Sequence, residues 1–192
     1  MHFVAALDDS DMRAVLCLFE GVATGAADGY ARIANKPAAT LLHLGCGLGN
    51  GLANLHNARK ARVPMINIIG DHALYHKQYD APLESDIETV ARNVSSWIRT
   101  CPSTEQLGAD SAEAIEVAQL APQQISTLIL PADVSWGKGG EPTKANLTPV
   151  ADTASDETIS KAADILKKRG KKTAILLGRR VLLEEGLMAA SK

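Results

Sequence analysis

Residues 14–36 read AVLCLFEGVATGAADGYARIANK. Six apolar or small residues, 14–19, lead to a single carboxylate, Glu20. Gly21, Ala23, Gly25, Ala26, Ala27 and Gly29 then leave almost no side-chain bulk. An apolar run of this length, ended by a charge, predicts a buried strand, and the proline-free stretch 21–35 predicts a helix. A strand feeding a helix is the repeating unit of parallel α/β sheets, whose ligands bind beyond the carboxyl ends of the strands. On this reading Glu20 stands at that edge. Taken alone, an acidic residue at a helix start is also favoured by the helix dipole, by about 0.3–1 kcal/mol, so a capping carboxylate is the competing interpretation.

Outward from this stretch the pattern repeats. Short apolar runs at 38–44, 64–69, 126–130 and 173–177 predict further strands, and helical spacing over 50–61, 84–93, 111–120 and 156–169 fills the intervals between them. The residues 81–97, with Glu84, Asp86, Glu88 and Arg92, read as a capped surface helix with its charges paired along one face. Strands that are apolar along nearly their whole length, alternating with helices, predict an α/β fold: an open parallel sheet with helices on both faces. From Trp136 the composition turns to Gly, Lys, Pro, Thr and Asp. This change predicts a first domain over 1–140, a linker over 141–155 and, over 156–192, the start of a second α/β domain. Residues 1–7 read as a helix where such sheets open with a strand, so the first strand is expected to be missing and the chain to be cut at both ends.

The chain has 192 residues, 46% hydrophobic and 22% charged, with 20 basic and 22 acidic residues interleaved for a net charge of -2. No field of one sign exists to draw nucleic acid or an anionic membrane, and no apolar run approaches the ~20 residues of a membrane helix. Cys17, Cys46 and Cys101 lack both the pairing of a disulfide framework and the spacing of a zinc site, which predicts reduced thiols in a cytoplasm. No metal site is expected.

Gly45, Gly47, Gly49 and Gly51 alternate between a predicted strand and a predicted helix. Backbone donors at such a turn attract anions, and Asp71 follows about twenty residues on, as a ribose-binding acid would. A dinucleotide-binding protein is therefore an open alternative. Against it, no glycine triplet fits G-x-G-x-x-G, because the third position falls on Asn50, Leu52 or Asn54. His43 stands just before the turn, where a histidine satisfied by backbone is the ordinary expectation. His72 and His76 are expected to be solvated loop residues, and Arg59, Lys60 and Arg62 to answer a helix dipole.

The string LFEGVATGAADGYARIANK, from Leu18 to Lys36, resembles the glutamate-to-ADGYAR segment of the thiamine-diphosphate enzymes of the acetolactate synthase and benzoylformate decarboxylase group. LLHLGCGLGNGLANLHNA, VPMINIIGDHA and LILPADVSW agree in order and spacing, so the resemblance runs to Trp136, and the chain looks like an acetolactate synthase large-subunit homologue. The resemblance implies a thiamine-diphosphate-dependent lyase or transferase, a decarboxylase or carboligase acting on a 2-oxo acid. It makes Glu20 the residue that polarises the cofactor's aminopyrimidine ring, His43 an active-site proton carrier, and Gly47 and Asn50 cofactor neighbours. The family's Gly-Asp-Gly motif, which binds magnesium and the diphosphate, is absent, and Gly70-Asp71-His72 is no substitute. The chain is thus expected to supply the pyrimidine side of a site shared between subunits of a homodimer or tetramer, and to be inactive alone. Any flavin would contact a middle domain, and FAD is left unassigned. A non-catalytic binding or regulatory module that kept this fold remains the alternative from another class.

Overall fold

The computed structural model describes residues 2–147 and 153–191. The chain divides into two compact units, Met1–Pro149 and Val150–Lys192. In the first, four parallel strands, β1 (Ala38–His43), β2 (Met65–Asp71), β3 (Trp97–Thr100) and β4 (Ile125–Pro131), form one sheet in the order β1–β2–β4–β3. The helices of this unit are α1 (His2–Ala6), α2 (Glu20–Ala34), α3 (Leu44–Ala61), α4 (Ile87–Ala91), α5 (Leu107–Gln119) and α6 (Ala132–Trp136).

Alternation along the strands splits the core in two. Leu42, Met65, Ile69, Ile125 and Ile129 face Ala27, Ala31, Leu48, Leu55, Ile87 and Ala91 of α2, α3 and α4. Burying a leucine such as Leu48 or Leu55, both wholly inaccessible, contributes about 1.5–3 kcal/mol. On the other face a smaller cluster joins Cys101, Leu128, Leu130 and Val134 to Phe3, Trp97 and Leu107, bringing in α1, α5 and α6. Burial here pushes the Cys101 thiol up to about 11, so it is an inert core residue. Helices thus cover both faces, although β1 leaves Ala39, Leu41 and His43 exposed on the second.

Across the middle of the larger core runs a polar ladder. Thr40 Oγ1 donates to Asn67 Oδ1 at 2.8 Å, Asn67 Nδ2 donates to Thr127 Oγ1 at 3.4 Å, and Ser95 shares a hydrogen with Thr127. All four residues are buried. Pairing Thr40 with Asn67 and Asn67 with Thr127 is what the strand register dictates, so the ladder also fixes that register.

Several expectations need correction. Residues 14–19 form no strand: Val15, Leu16 and Leu18 are 68%, 90% and 98% exposed, and the segment pairs with none of the four strands. An apolar run becomes a strand only where a neighbouring edge accepts its backbone hydrogen bonds. Glu20 consequently opens α2 after an extended Phe19 and does not end a strand. The helix expected at residue 50 starts at Leu44, directly after β1, and absorbs the glycine turn. The helix expected over 84–93 shrinks to α4, capped by Asp86 through the Thr89 amide. Glu84 pairs with Lys77 and not along that helix. Beyond it lies β3, unforeseen because its four residues are half-buried and carry an arginine. Arg99 bonds Asp110 and Glu113 of α5 and lies over the Trp97 ring at 5.1 Å.

The second unit contains α7 (Asp156–Arg169), started by Ser155 accepting from the Thr158 amide, and α8 (Glu184–Ala190). The strand expected at 173–177 is not formed: among the described residues no strand is present there, and Ile175 and Leu176 are 68% and 100% exposed. Part of the expected linker, 148–152, lies outside the described residues. Among the described residues no helix is long and apolar enough to cross a membrane.

Candidate functional site

The first turns of α2 lie beside the second and third turns of α3, because the residues between the two helices are small. Asn54 Nδ2 donates to the Gly21 carbonyl at 2.6 Å, and Thr24 Oγ1 donates to the Gly51 carbonyl at 3.2 Å. A Cβ on Gly51 would press on Thr24 Cγ2 at 2.8 Å, and one on Gly45 would collide with Ser85 Oγ. Both glycines are therefore packing requirements. Gly47 differs: a Cβ there meets Glu20 Oε1 at 3.5 Å and the His43 Cβ at 3.8 Å, ordinary contacts that the fold would tolerate. Gly49 faces open space.

Three of the four expected site residues converge here. Glu20, half-buried, accepts through Oε2 from Asn50 Nδ2 at 3.1 Å, and the missing side chain of Gly47 leaves room against Oε1. The carboxylate is thus held by an amide of the neighbouring helix and not by backbone donors of the helix it opens. One oxygen is fixed, and the other faces the flank of a glycine. His43 ends β1 on the far side of Gly47 and is exposed, with its ring at the border of a cleft beyond the carboxyl ends of β1, β2 and β4. Leu44, at φ 58°, turns the chain from strand to helix without an intervening residue. A non-glycine residue in this left-handed region costs about 1–3 kcal/mol and persists where its surroundings demand it. Leu44 is 2% exposed, clamped by its burial.

The segment 72–86 is more enclosed than the solvated loop expected for His72 and His76. His72 and His76 are half-buried, their ring centroids 5.5 Å apart, and both line the same cleft as His43. Leu74–Tyr79 forms a 3-10 turn tied to α6 by the Leu74 amide donating to Asp133. Lys77 Nζ bridges Asp71 Oδ2 at 2.7 Å and Glu84 Oε1 at 2.8 Å, and the Asp71 carboxylate also accepts from the His72 amide at 2.7 Å. Burial opposes the charge on Lys77, but the hydrogen bonds to Asp71 and Glu84 outweigh it and hold the lysine above its ordinary value. The periodic spacing of His72 and His76 after a strand end was the available signal for this segment. The bridge through Lys77 holds this segment against the end of β2, and no local pattern announces it.

Comparison with known proteins bears on this geometry. Residues 1–91 match the family described as thiamine pyrophosphate enzyme, N-terminal TPP binding domain. Over these residues the chain is similar to the N-terminal domain of the thiamine pyrophosphate enzymes. A Mycobacterium tuberculosis protein provisionally named acetolactate synthase large subunit IlvX is 55% identical over 193 residues, covering 100% of this chain and 37% of that protein. The benzoylformate decarboxylase of Pseudomonas aeruginosa is 29% identical over 129 residues, 67% of this chain and 24% of the enzyme. Among solved structures, the Rhodococcus jostii RHA1 thiamine diphosphate-dependent 4-hydroxybenzoylformate decarboxylase superposes with a TM-score of 0.77 over 87% of this chain and 32% of its own, at 24% identity, a likeness of fold. The chain thus spans well under half the length of each of these relatives. Glu20 and the glycine flank beside it fall inside the matched residues.

Proposed function

We propose that this chain supplies the aminopyrimidine-facing half of the cofactor site in a thiamine-diphosphate-dependent decarboxylase or carboligase of the acetolactate synthase-like type, acting on a 2-oxo acid. The observation that carries this reading is Glu20: its carboxylate is anchored through one oxygen by Asn50, and its other oxygen borders space that a Gly47 side chain would fill. That is a cradle for a flat ring, and the aminopyrimidine fits it. When bound, thiamine diphosphate supplies a carbon acid that becomes a nucleophile toward carbonyl carbon. Glu20 would hydrogen-bond a ring nitrogen of the pyrimidine and hold or share the proton there. Asn50 orients the carboxylate, Gly47 lets the ring approach, and His43 moves protons at the substrate edge.

Magnesium and the diphosphate belong, on this reading, to a separate domain of a partner subunit. Among the described residues no cluster of His, Cys, Asp or Glu could hold a metal ion. A homo-oligomer is supported by the apolar residues flanking Glu20 in sequence, where Leu16, Leu18, Phe19 and Val22 are all exposed. Three free cysteines suit a reducing cytoplasm. We assign 1–140 to the pyrimidine-binding domain, 141–155 to a linker and 156–192 to the start of a central domain, with no flavin assigned. A dinucleotide site is disfavoured because Asp71, the acid it would need, is 2% exposed and occupied by Lys77.

The test is hydrogen–deuterium exchange at the thiazolium carbon of thiamine diphosphate bound to the assembled protein. Glu20→Gln is expected to slow it about 10²–10⁴-fold, with circular dichroism unchanged. Exchange at the original rate would overturn the assignment, and the chain alone is expected to turn over no substrate.

A further inference from the structure

Glu20 stands at a helix end that has little of its own to hold it. It is the first residue of α2, and Phe19 before it offers the helix no side-chain cap. The segment leading in, 14–19, pairs with none of the four strands. An uncapped helix end entered from an unpaired segment frays, and a residue in its first turn is the first to lose its place. Inside α2, Thr24 Oγ1 has one hydrogen to donate and three carbonyls within reach, those of Glu20 at 3.0 Å, Gly21 at 3.3 Å and Gly51 at 3.2 Å. Divided in this way, it holds none of them fully.

The firm hold comes from α3. Gly47, Asn50 and Asn54 recur at spacings of three and four, so they lie along one face of that helix. Asn50 grips the Glu20 side chain at 3.1 Å. One turn on, half-buried Asn54 donates through Nδ2 to the Gly21 carbonyl at 2.6 Å, the shorter of the two bonds. This second bond is open to Asn54 because residue 25 is glycine: a Cβ there would stand 3.0 Å from Asn54 Nδ2 and push the amide aside. The bond is made to main chain one residue past Glu20, not to the carboxylate itself.

We propose that Asn54 is a positioning residue for Glu20: it fixes from outside the helix start that no cap fixes from within, so that the free carboxylate oxygen keeps its bearing on the space beside Gly47. That this bearing serves a pyrimidine ring rests on the cofactor reading above, and the pinning rests on the bond.

Two readouts test it. In the 192-residue chain without cofactor, Asn54→Ala is expected to speed amide hydrogen exchange about tenfold at Val22 and Ala23, whose amides bond the Phe19 carbonyl, and to leave Leu55 and Ala58 of α3 unchanged. In the assembled protein, hydrogen–deuterium exchange at the thiazolium carbon, counted per bound thiamine diphosphate, is expected to slow about tenfold or more while cofactor affinity stays within about threefold. Gly25→Ala, which displaces the amide while favouring the helix, is expected to slow the same exchange without lowering the melting temperature. Added to Asn54→Ala it is expected to change nothing further, since both act through one bond. Asn57→Ala, an exposed amide of α3, is the control and is expected to alter neither readout. Unchanged amide exchange at Val22 and Ala23 would overturn the proposal, as would thiazolium exchange at the native rate in Asn54→Ala while Glu20→Gln is slow. Equal losses of rate and affinity would assign Asn54 to packing and overturn it as well. If Glu20→Gln exchanges normally, the cofactor reading falls, and amide exchange alone decides whether Asn54 pins the helix.

Discussion

Asn50 Nδ2 donates to Glu20 Oε2 across 3.1 Å, joining the first residue of α2 to the second turn of α3 across thirty positions of sequence. The bond fixes which carboxylate oxygen remains available. Asn50→Ala is expected to leave stability within about 0.5 kcal/mol, because Asn50 is exposed in this chain. Thiamine diphosphate affinity of the assembled protein, read by calorimetric titration, is expected to fall about three- to tenfold, the loss of one charge-assisted bond. Unchanged affinity would show that Glu20 needs no orienting partner.

Gly47 and Gly51 are expected to respond oppositely to the same substitution. At Gly51 an added methyl meets Thr24 Cγ2 at 2.8 Å in the buried crossing of α2 and α3, and overpacking of that kind costs about 1–3 kcal/mol. At Gly47 the same methyl makes ordinary contacts, and replacing a helical glycine by alanine gains about 0.5–1 kcal/mol. Gly47→Ala should therefore melt at or above the native temperature while losing cofactor binding. Gly51→Ala should melt lower. If Gly47→Ala also binds cofactor normally, the space beside Glu20 is not a ring site.

Asn67 is the middle rung of the polar ladder, fully buried, accepting from Thr40 and donating to Thr127. Asn67→Ala leaves two hydroxyls without this partner and opens a cavity, for a cost of about 2–4 kcal/mol. Urea unfolding followed by far-ultraviolet dichroism measures it. A cost below about 1 kcal/mol would mean that the ladder is dispensable for register.

Lys77 links pH to stability. Its folded-state value lies above the ordinary 10.5, so its contribution is fully present below about pH 10.5 and drains away as pH rises through the folded value. Lys77→Met strands Asp71, whose side chain is 2% exposed, although the 35% exposure of the lysine softens the loss to about 1–3 kcal/mol. The gap between native and variant, measured by denaturant titration at pH 8 and above pH 11, is expected to narrow at the higher pH. A constant gap would indicate that the lysine acts through its hydrocarbon stem.

The alternation of apolar runs with helical spacing was enough to expect a parallel sheet, and β1, β2 and β4 lie within a residue or two of where the runs put them. Strands β2 and β4 are buried on both sides or nearly so, and β1 is apolar along its length although one face is exposed, which is what makes all three readable. Strand β3 escaped because WIRT is half-buried, its arginine engaged by α5. The false strands at 14–19 and 173–177 have the right composition, but nothing in a single run of sequence says whether a partner edge is present. At the site, Glu20, Gly47 and Asn50 were foreseeable because a resemblance named them and one helical turn separates the last two. The histidine cleft was not, since its lining is gathered from the ends of β1, β2 and β4 and from the turn after β2.

Leu44 leaves no slack between β1 and α3. His43 and Gly47 are therefore carried by two rigid elements welded end to end, and no insertion can enter there without tearing a strand from its helix. Variation at this end of the sheet is left to residues 72–86, which Lys77 and Asp133 tether from outside the strands, while 43–47 has no room for it.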